Sequence, residues 1–258
     1  MDPRPRRPRV RRKRKLGFAY RLAVVLLWPF MRTMIRWDIV GDDVLDESSG
    51  GILVAPNHMS WLDPVVVSYV MWEADRPPRF LAKEPLFRIP VLGRIITHAG
   101  QIPVYRESAE AAAAVRDAVG AVDAGEAVVI YPEGTMTRDP QLWPMVAKSG
   151  AARIALLTGC PLIPMAHWGT QEIMRPYVKE FRLLPRKTIH VRVGAPVNLD
   201  DLRDRPLDRH TLKEAGDRLM DAITDLMASM RDEQPPAERY AHRTRSAESG
   251  GDDPNSRG

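Results

Sequence analysis

From about residue 39 to residue 199 the chain alternates short apolar runs with longer stretches of helical character, and this alternation restricts the fold more than any single motif does. The runs at 52–55, 79–82, 101–105, 127–131, 162–167 and 188–193 have the length of buried strands. Between them, 64–72, 108–122 and 150–157 carry helix formers; the second contains an alanine run and is followed by Gly125, a natural stop. Strand and helix in alternation predict an α/β fold, a single mixed-sheet domain with flanking helices. After Asp208, the residues Leu212, Ala215, Leu219, Ile223, Leu226 and Met230 recur at spacings of three and four, which predicts an amphipathic helix packed on the sheet. With 258 residues, 44% hydrophobic and 28% charged, the chain can fill one sizeable core and is too polar for a polytopic membrane protein. It has no long internal period, so solenoids and fibrous folds are excluded.

The ends differ from the middle. Residues 1–15 hold nine Lys and Arg against Asp2 alone; a local balance of +8 within an overall +5 leaves −3 for the rest. The arm is therefore expected to be disordered and solvated, and the basic pI of about 9.5 describes it and not the domain. Residues 16–37 follow as an apolar membrane-associating segment, unbroken in its hydrophobicity over 22–31. Ten residues cannot cross a hydrocarbon core of roughly 30 Å, and Arg21, Arg32 and Arg36 bracket them while Pro29 interrupts them. A helix lying on, or shallowly entering, a membrane surface fits best; a buried core helix is the alternative, and no small-residue cleavage site follows to suggest a signal peptide. The domain itself is expected over 38–232, with a polar, disordered tail over 233–258. Cys160 is the sole cysteine, so neither an internal disulfide nor a cysteine-based zinc site is available, and the folded part suits a reducing cytosol.

The segment Pro56-Asn57-His58-Met59-Ser60-Trp61-Leu62-Asp63-Pro64 carries the most chemistry. On one helix His58 and Asp63 would face about 140° apart. They meet only if a strand ends near His58 and a helix begins near Asp63. The strand at 52–55 and the Asp63-Pro64 pair, which reads as an N-cap followed by proline at the first helical position, support that arrangement. An ionised carboxylate beside an imidazole fixes its tautomer and raises its basicity, giving a general base. Taken alone, the pair is also what a helix cap beside a loop histidine looks like. Ser60 lacks the G-x-S-x-G elbow of a serine hydrolase, and no second ligand stands near His58 at metal-binding spacing. Further on, Tyr131-Pro132-Glu133-Gly134-Thr135 follows a strand, as the loops that build sites in open α/β sheets do. Arg106 ends another strand with a guanidinium suited to bidentate capture of phosphate.

In order along the chain, these blocks resemble the glycerolipid acyltransferase family of the 1-acylglycerol-3-phosphate acyltransferase (lysophospholipid acyltransferase) type. Asn57, His58 and Asp63 match its H-x-x-x-x-D block; Gly100 and Arg106 its G-x-x-x-x-x-R block; Pro132, Glu133, Gly134 and Thr135 its F-P-E-G-T block, with Tyr131 for Phe; and Leu162, Ile163 and Pro164 its late proline block. Lys83 and Lys148 fall in less specific stretches of the likeness. The family often has Arg directly after the Thr, whereas here Met136 and Thr137 precede Arg138.

The resemblance implies transfer of a fatty acyl group from acyl-CoA or acyl carrier protein to the free hydroxyl of 1-acylglycerol-3-phosphate, giving phosphatidic acid, or to another lysolipid or hydroxylated lipid. It implies His58 and Asp63 as the catalytic pair and Arg106, Glu133, Gly134, Thr135, Asn57 and Pro164 as substrate-binding residues, with Lys83, Arg138 and Lys148 as further candidates. It calls for no cofactor beyond the thioester co-substrate and no metal. The expected partners are a lysophospholipid, the thioester donor and an anionic membrane surface, at the cytoplasmic face of the cell membrane. A basic arm binds nucleic acid as readily as lipid. The apolar segment directly after it argues for lipid.

Overall fold

Residues 52–56 contain no polar side chain, which requires a strand covered on both faces. In the computed structural model, which describes residues 18–47, 50–104, 108–178, 180–231 and 233–241, they form the central strand of a seven-stranded sheet. The elements run α1 (Phe18–Met34), β1 (Ile35–Val40), α2 (Val44–Glu47), β2 (Ile52–Pro56), α3 (Asp63–Glu73) and β3 (Pro78–Lys83). A 3-10 turn (Glu84–Arg88), α4 (Leu92–His98), β4 (Ile102–Val104), α5 (Ser108–Asp123), β5 (Ala127–Val129) and α6 (Gly150–Thr158) follow. The chain continues through β6 (Leu162–Trp168), α7 (Thr170–Ile173), β7 (Lys187–Val193), α8 (Asp200–Arg203) and α9 (Arg209–Ala228).

The spatial order is β1-β7-β6-β2-β5-β3-β4. Strands β2 to β6 are mutually parallel, and β7 runs antiparallel to β6 and parallel to β1. The expected mixed sheet with flanking helices is the observed architecture. Alternation along β2 divides the core in two: Leu53 and Ala55 join α5, α6 and α9 on one face, and Ile52 and Val54 join α1 and α3 on the other. A slip of one residue would exchange the two sets, and each fully buried Val, Leu or Ile is worth about 1.5–3 kcal/mol, so the register is strongly held. Helix α9 begins at an Asp208 cap whose carboxylate accepts from the Thr211 amide at 2.8 Å.

Two boundaries differ from the sequence reading. The apolar segment expected to end at Trp37 stops being helical at Met34, and Ile35, Arg36 and Trp37 pair with β7 as the start of β1. Met31 and Ile35 are buried, and the Trp28 indole donates to Glu73 at 2.7 Å, so the C-terminal end of α1 belongs to the core. At the other end, residues 233–241 do not trail away as expected. Arg231 lies between the Trp143 and Trp168 rings, 4.1 and 4.2 Å from their centres, and the Val146 amide donates to the Tyr240 carbonyl at 3.1 Å. Stacking a guanidinium on two indoles fixes the chain just before a segment whose composition alone is that of a tail, and the Arg239–Asp221 ion pair holds the segment itself. The basic arm over 1–15 and residues 242–258 lie outside the described residues.

Candidate active site

Parallel strands deliver their C-terminal ends to one edge of the sheet, the edge where open α/β folds collect functional loops. His58 follows β2 there, Tyr131 to Thr135 follow β5, Lys83 ends β3 and His167 lies near the end of β6. Arg106, two residues past β4, lies outside the described residues.

His58 and Asp63 meet. Strand β2 ends at Pro56, α3 begins at Asp63, and the connecting loop turns His58 Nδ1 to 2.8 Å from Asp63 Oδ2. The same oxygen accepts from the amides of Met59 (2.6 Å) and Ser60 (2.7 Å), so three N–H groups converge on it. Asp63 is therefore not the helix cap expected from the sequence. Leu62 occupies that position without a side-chain bond, and the Asp63 carboxylate folds back onto the loop that carries its histidine. Burial opposes charge on this fully buried carboxyl, but the nearby imidazole of His167 and the hydrogen bond with His58 outweigh it and hold it below the ordinary carboxylate range. An ionised acceptor on Nδ1 requires the proton there, leaving the Nε2 lone pair of a ring that is 17% exposed. Tyr131 stacks on that ring at 4.1 Å between centres and restricts its tilt. The Ser60 hydroxyl is committed elsewhere: it donates to the Met174 carbonyl at 2.7 Å and accepts from the Leu62 amide at 3.1 Å.

Three residues that the resemblance assigns to substrate are engaged with other parts of the protein. Asn57 extends the β2–β6 pairing: its amide nitrogen donates to the His167 carbonyl at 3.2 Å and its oxygen accepts from the His167 amide at 2.8 Å. Pro164 is buried inside β6 opposite Ala55, its carbonyl accepting from the Gly194 amide at 2.9 Å. Glu133, 3% exposed, receives the His58 amide on Oε1 and the Met145 amide on Oε2, both at 3.0 Å. It ties the histidine loop to the segment after the turn. Gly134 adopts φ +69°, and a side-chain carbon there would meet the Lys148 side chain at 2.9 Å, which brings that lysine onto the turn. Thr135 is half-buried on the same turn. Exposed Lys83 closes β3. Arg138 lies over the Tyr177 ring at 5.9 Å and lines a cavity of about 390 Å³ with Thr137, Leu142 and Pro176.

The sequence reading missed two residues. Thr137 donates its amide to the His58 carbonyl at 2.6 Å and its hydroxyl to the Trp143 carbonyl at 2.8 Å, bracing the loop from the other side. His167 is fully buried beside Asp63. As the one ionisable residue in an otherwise apolar strand, it did carry a visible signal. Among the described residues no group of three or more His, Cys, Asp and Glu is placed to hold a metal ion.

Glu133 makes a testable contribution to stability. Burial pushes its carboxyl up to about 8 from an ordinary 4.5, against the opposing effect of its two backbone hydrogen bonds. A raised folded value means that its stabilisation is complete below pH 4.5 and is lost as pH rises to about 8, at about 1.4 kcal/mol per pH unit in that window. Glu133→Gln removes this dependence and replaces it with a constant loss, since one of the two amides then faces an NH₂ group. The thermal midpoint of wild type should fall relative to that of the variant throughout the window, and the difference between them should become constant above pH 8. Buried His167, whose own value burial lowers, destabilises both proteins equally below pH 6.5. Parallel curves throughout would remove the ionisable role from Glu133.

Residues 36–168 match the family model described as Acyltransferase. The chain is 32% identical over 167 residues to the chloroplastic 1-acyl-sn-glycerol-3-phosphate acyltransferase BAT2 of Brassica napus, covering 64% of this chain and 46% of that protein. It is 29% identical to the 1-acyl-sn-glycerol-3-phosphate acyltransferase of Limnanthes douglasii, covering 71% and 69%. The chain thus spans less than half the length of the first of these relatives. The crystal structure of the 1-acyl-sn-glycerophosphate (LPA) acyltransferase PlsC from Thermotoga maritima superposes with a TM-score of 0.57 at 21% identity, covering 78% of this chain and 76% of that one, and shares the fold.

Proposed function

The chain belongs to the acyltransferase family, and on that footing we propose that it moves a fatty acyl group from a thioester, acyl-CoA or acyl carrier protein, to the free hydroxyl of 1-acylglycerol-3-phosphate. The product is phosphatidic acid. The observation that carries this reading is the His58–Asp63 pair, with the proton on Nδ1 and the Nε2 lone pair left for an incoming hydroxyl.

An alcohol is too weakly acidic to attack a thioester unaided, so its proton must leave as the bond forms. His58 Nε2 takes that proton while the hydroxyl oxygen adds to the thioester carbonyl carbon. The imidazolium is stabilised by Asp63, the carbon–sulfur bond breaks, and the proton passes to the departing thiolate. Atoms and charges balance without a covalent enzyme intermediate, consistent with the engagement of Ser60 by Met174 and Leu62. Arg106 binds the acceptor phosphate. Glu133, Thr137 and Asn57 hold the histidine loop, and Lys148 and Arg138 supply further positive charge around the turn after β5. Incubation of the full chain with a lysophospholipid panel and acyl-CoA, scored for thiol release and diacyl product, tests the reaction. Release with no lysolipid acceptor would reject it.

Arg106→Ala should raise the KM for a phosphate-bearing acceptor more than it lowers saturated turnover, because the contact exists before the transition state. Arg106→Lys should recover only part, an ammonium lacking the planar fork. Acceptor KM values unchanged in both would move the phosphate to Arg138 or Lys148.

The acceptor is a lipid, and the outer surface suits one. Val25, Leu27 and Phe30 are exposed on α1; Ile89, Val91 and Leu92 are exposed at the start of α4, which packs against α1; and Trp61, 56% exposed, sits on the histidine loop itself. Exposed Arg32 on α1, Arg36 at the start of β1, Arg88 at the end of the 3-10 turn and Arg94 on α4 add positive charge on these and adjoining elements. Among the described residues no helix is long and apolar enough to cross a membrane. The exposed apolar and basic groups support a peripheral attachment, in which the basic arm adds about 1 kcal/mol per Lys or Arg near an anionic surface and salt screens it. Removing residues 1–15 should weaken binding to anionic vesicles and abolish most of its salt dependence, read by co-sedimentation across a salt series. Tighter binding of the full chain to duplex DNA than to such vesicles at equal salt would favour a nucleic-acid partner.

A further inference from the structure

His167 is fully buried, and its Nε2 stands 3.0 Å from the Asn57 carbonyl oxygen and 3.8 Å from Asp63 Oδ1. A carbonyl only accepts, so the ring proton is on Nε2. Asp63 uses one oxygen for all three of its donors, and Oδ1 has no hydrogen-bond partner among the described residues. The Asn57 carbonyl belongs to the peptide that carries His58. One N–H of His167 therefore bonds the peptide before the histidine and lies beside the second oxygen of the carboxylate, outside hydrogen-bond distance.

We propose that His167 is a positioning residue for the His58–Asp63 pair: its Nε2–H fixes the Asn57–His58 peptide through the Asn57 carbonyl, so that Nδ1 of His58 stays seated on Asp63 Oδ2. Without that N–H, the peptide is free to tilt and carry Nδ1 of His58 away from Oδ2, while Asp63 stays held by the Met59 and Ser60 amides and faced by the Thr170 hydroxyl from α7. Tyr131 and Glu133 complete the ionisable surroundings, and neither hydrogen-bonds to Asp63: the Tyr131 hydroxyl has no hydrogen-bond partner among the described residues, and Glu133 is held by two backbone amides. The role needs a donor at the Nε2 position. Glutamine supplies one there; asparagine, one carbon shorter, does not.

The kinetic part of the test rests on the acyl-transfer reading, and the spectroscopic part does not. Wild type, His167→Leu, His167→Gln and His167→Asn are prepared as full chains with ¹⁵N-labelled histidine. The imidazole ¹⁵N signals of His58 report which nitrogen bears the proton. Wild type should show the Nδ1–H form; His167→Leu and His167→Asn should show a mixture; His167→Gln should restore the wild-type pattern. In the acyl-transfer assay, kcat should fall by about tenfold to a hundredfold in the Leu and Asn variants, the scale expected when a reacting group is misplaced by about 1 Å, with lysolipid KM within about twofold of wild type. Glutamine should recover most of it. If the Leu variant does not fold, the Gln and Asn variants, equally polar, decide between a donor at Nε2 and mere filling of space. A folded Leu or Asn variant with the wild-type His58 pattern overturns the proposal, as does a Gln variant no better than Asn. A wild type without acyl transfer, together with the expected ¹⁵N changes, would reject the acyltransferase reading and leave the positioning role standing.

Discussion

In His58→Ala, acyl transfer should fall by a factor of about 10² to 10⁴, the usual contribution of a positioned general base. The variant should still fold. The ring is partly exposed on a loop, and the amides of Met59 and Ser60 continue to hold Asp63 when the imidazole is gone. The remaining cost is one charge-assisted hydrogen bond to a buried carboxylate, about 1.5–3 kcal/mol. Loss should appear in kcat at saturating acceptor and donor, with lipid binding by co-sedimentation unchanged, because the base acts only once the substrates are in place. A folded variant within about tenfold of wild-type turnover would place the base elsewhere.

Asp63→Asn should lose as much activity and more stability. All three N–H groups converge on Oδ2, so an asparagine either keeps them on its one oxygen with its NH₂ in the Oδ1 position beside the His167 N–H, or turns over and meets all three with the NH₂. Turned over, it sets a donor against both loop amides, enforces the wrong tautomer of His58 and removes the Nε2 lone pair. In either orientation the neutral amide cannot stabilise the imidazolium, so turnover should fall by about 10² to 10⁴ even though the side chain is isosteric. In the first orientation a buried NH₂ is set against the His167 N–H, at a cost of about 1–3 kcal/mol. The acid limb of stability tests the same carboxylate. Its folded value lies below the ordinary 3.8, so it contributes stability above that pH and loses it as pH falls further. In Asp63→Asn that acid-dependent loss should disappear from the thermal midpoint. The double variant with His58→Ala should be no slower than the worse single one, since the two act as a unit. Additive losses would separate them.

Both experiments depend on a loop braced from several sides. Glu133 holds its amide, Thr137 its carbonyl, and Asn57 and His167 the preceding peptide. Apart from the short span to Asn57 itself, these braces come from β5, the turn after it and β6. The site is a junction of three parallel strand ends, with α3 contributing only the carboxylate.

What the sequence determined by itself was local. A strand of apolar residues, a short polar loop and an Asp-Pro helix start place residues 58 and 63 together whatever the remainder does, because a chain that turns within five residues has few ways to do so. The period of α9 and the alternation of strand and helix are equally local, and the structure has them. Other features depended on which strands lie side by side. Nothing near residue 35 says that it will pair with residue 187, and nothing in the late proline block says that its strand will run beside β2 and bury His167 under Asp63. Asn57, Glu133 and Pro164 have the composition of substrate contacts. Only the sheet order shows that their polar groups are used by backbone partners 12 to 110 residues away, or, for Pro164, buried inside it. The physical reason is range. Backbone propensity acts over a few residues, whereas register, which sets every contact across the sheet, is settled by burying two apolar faces at once.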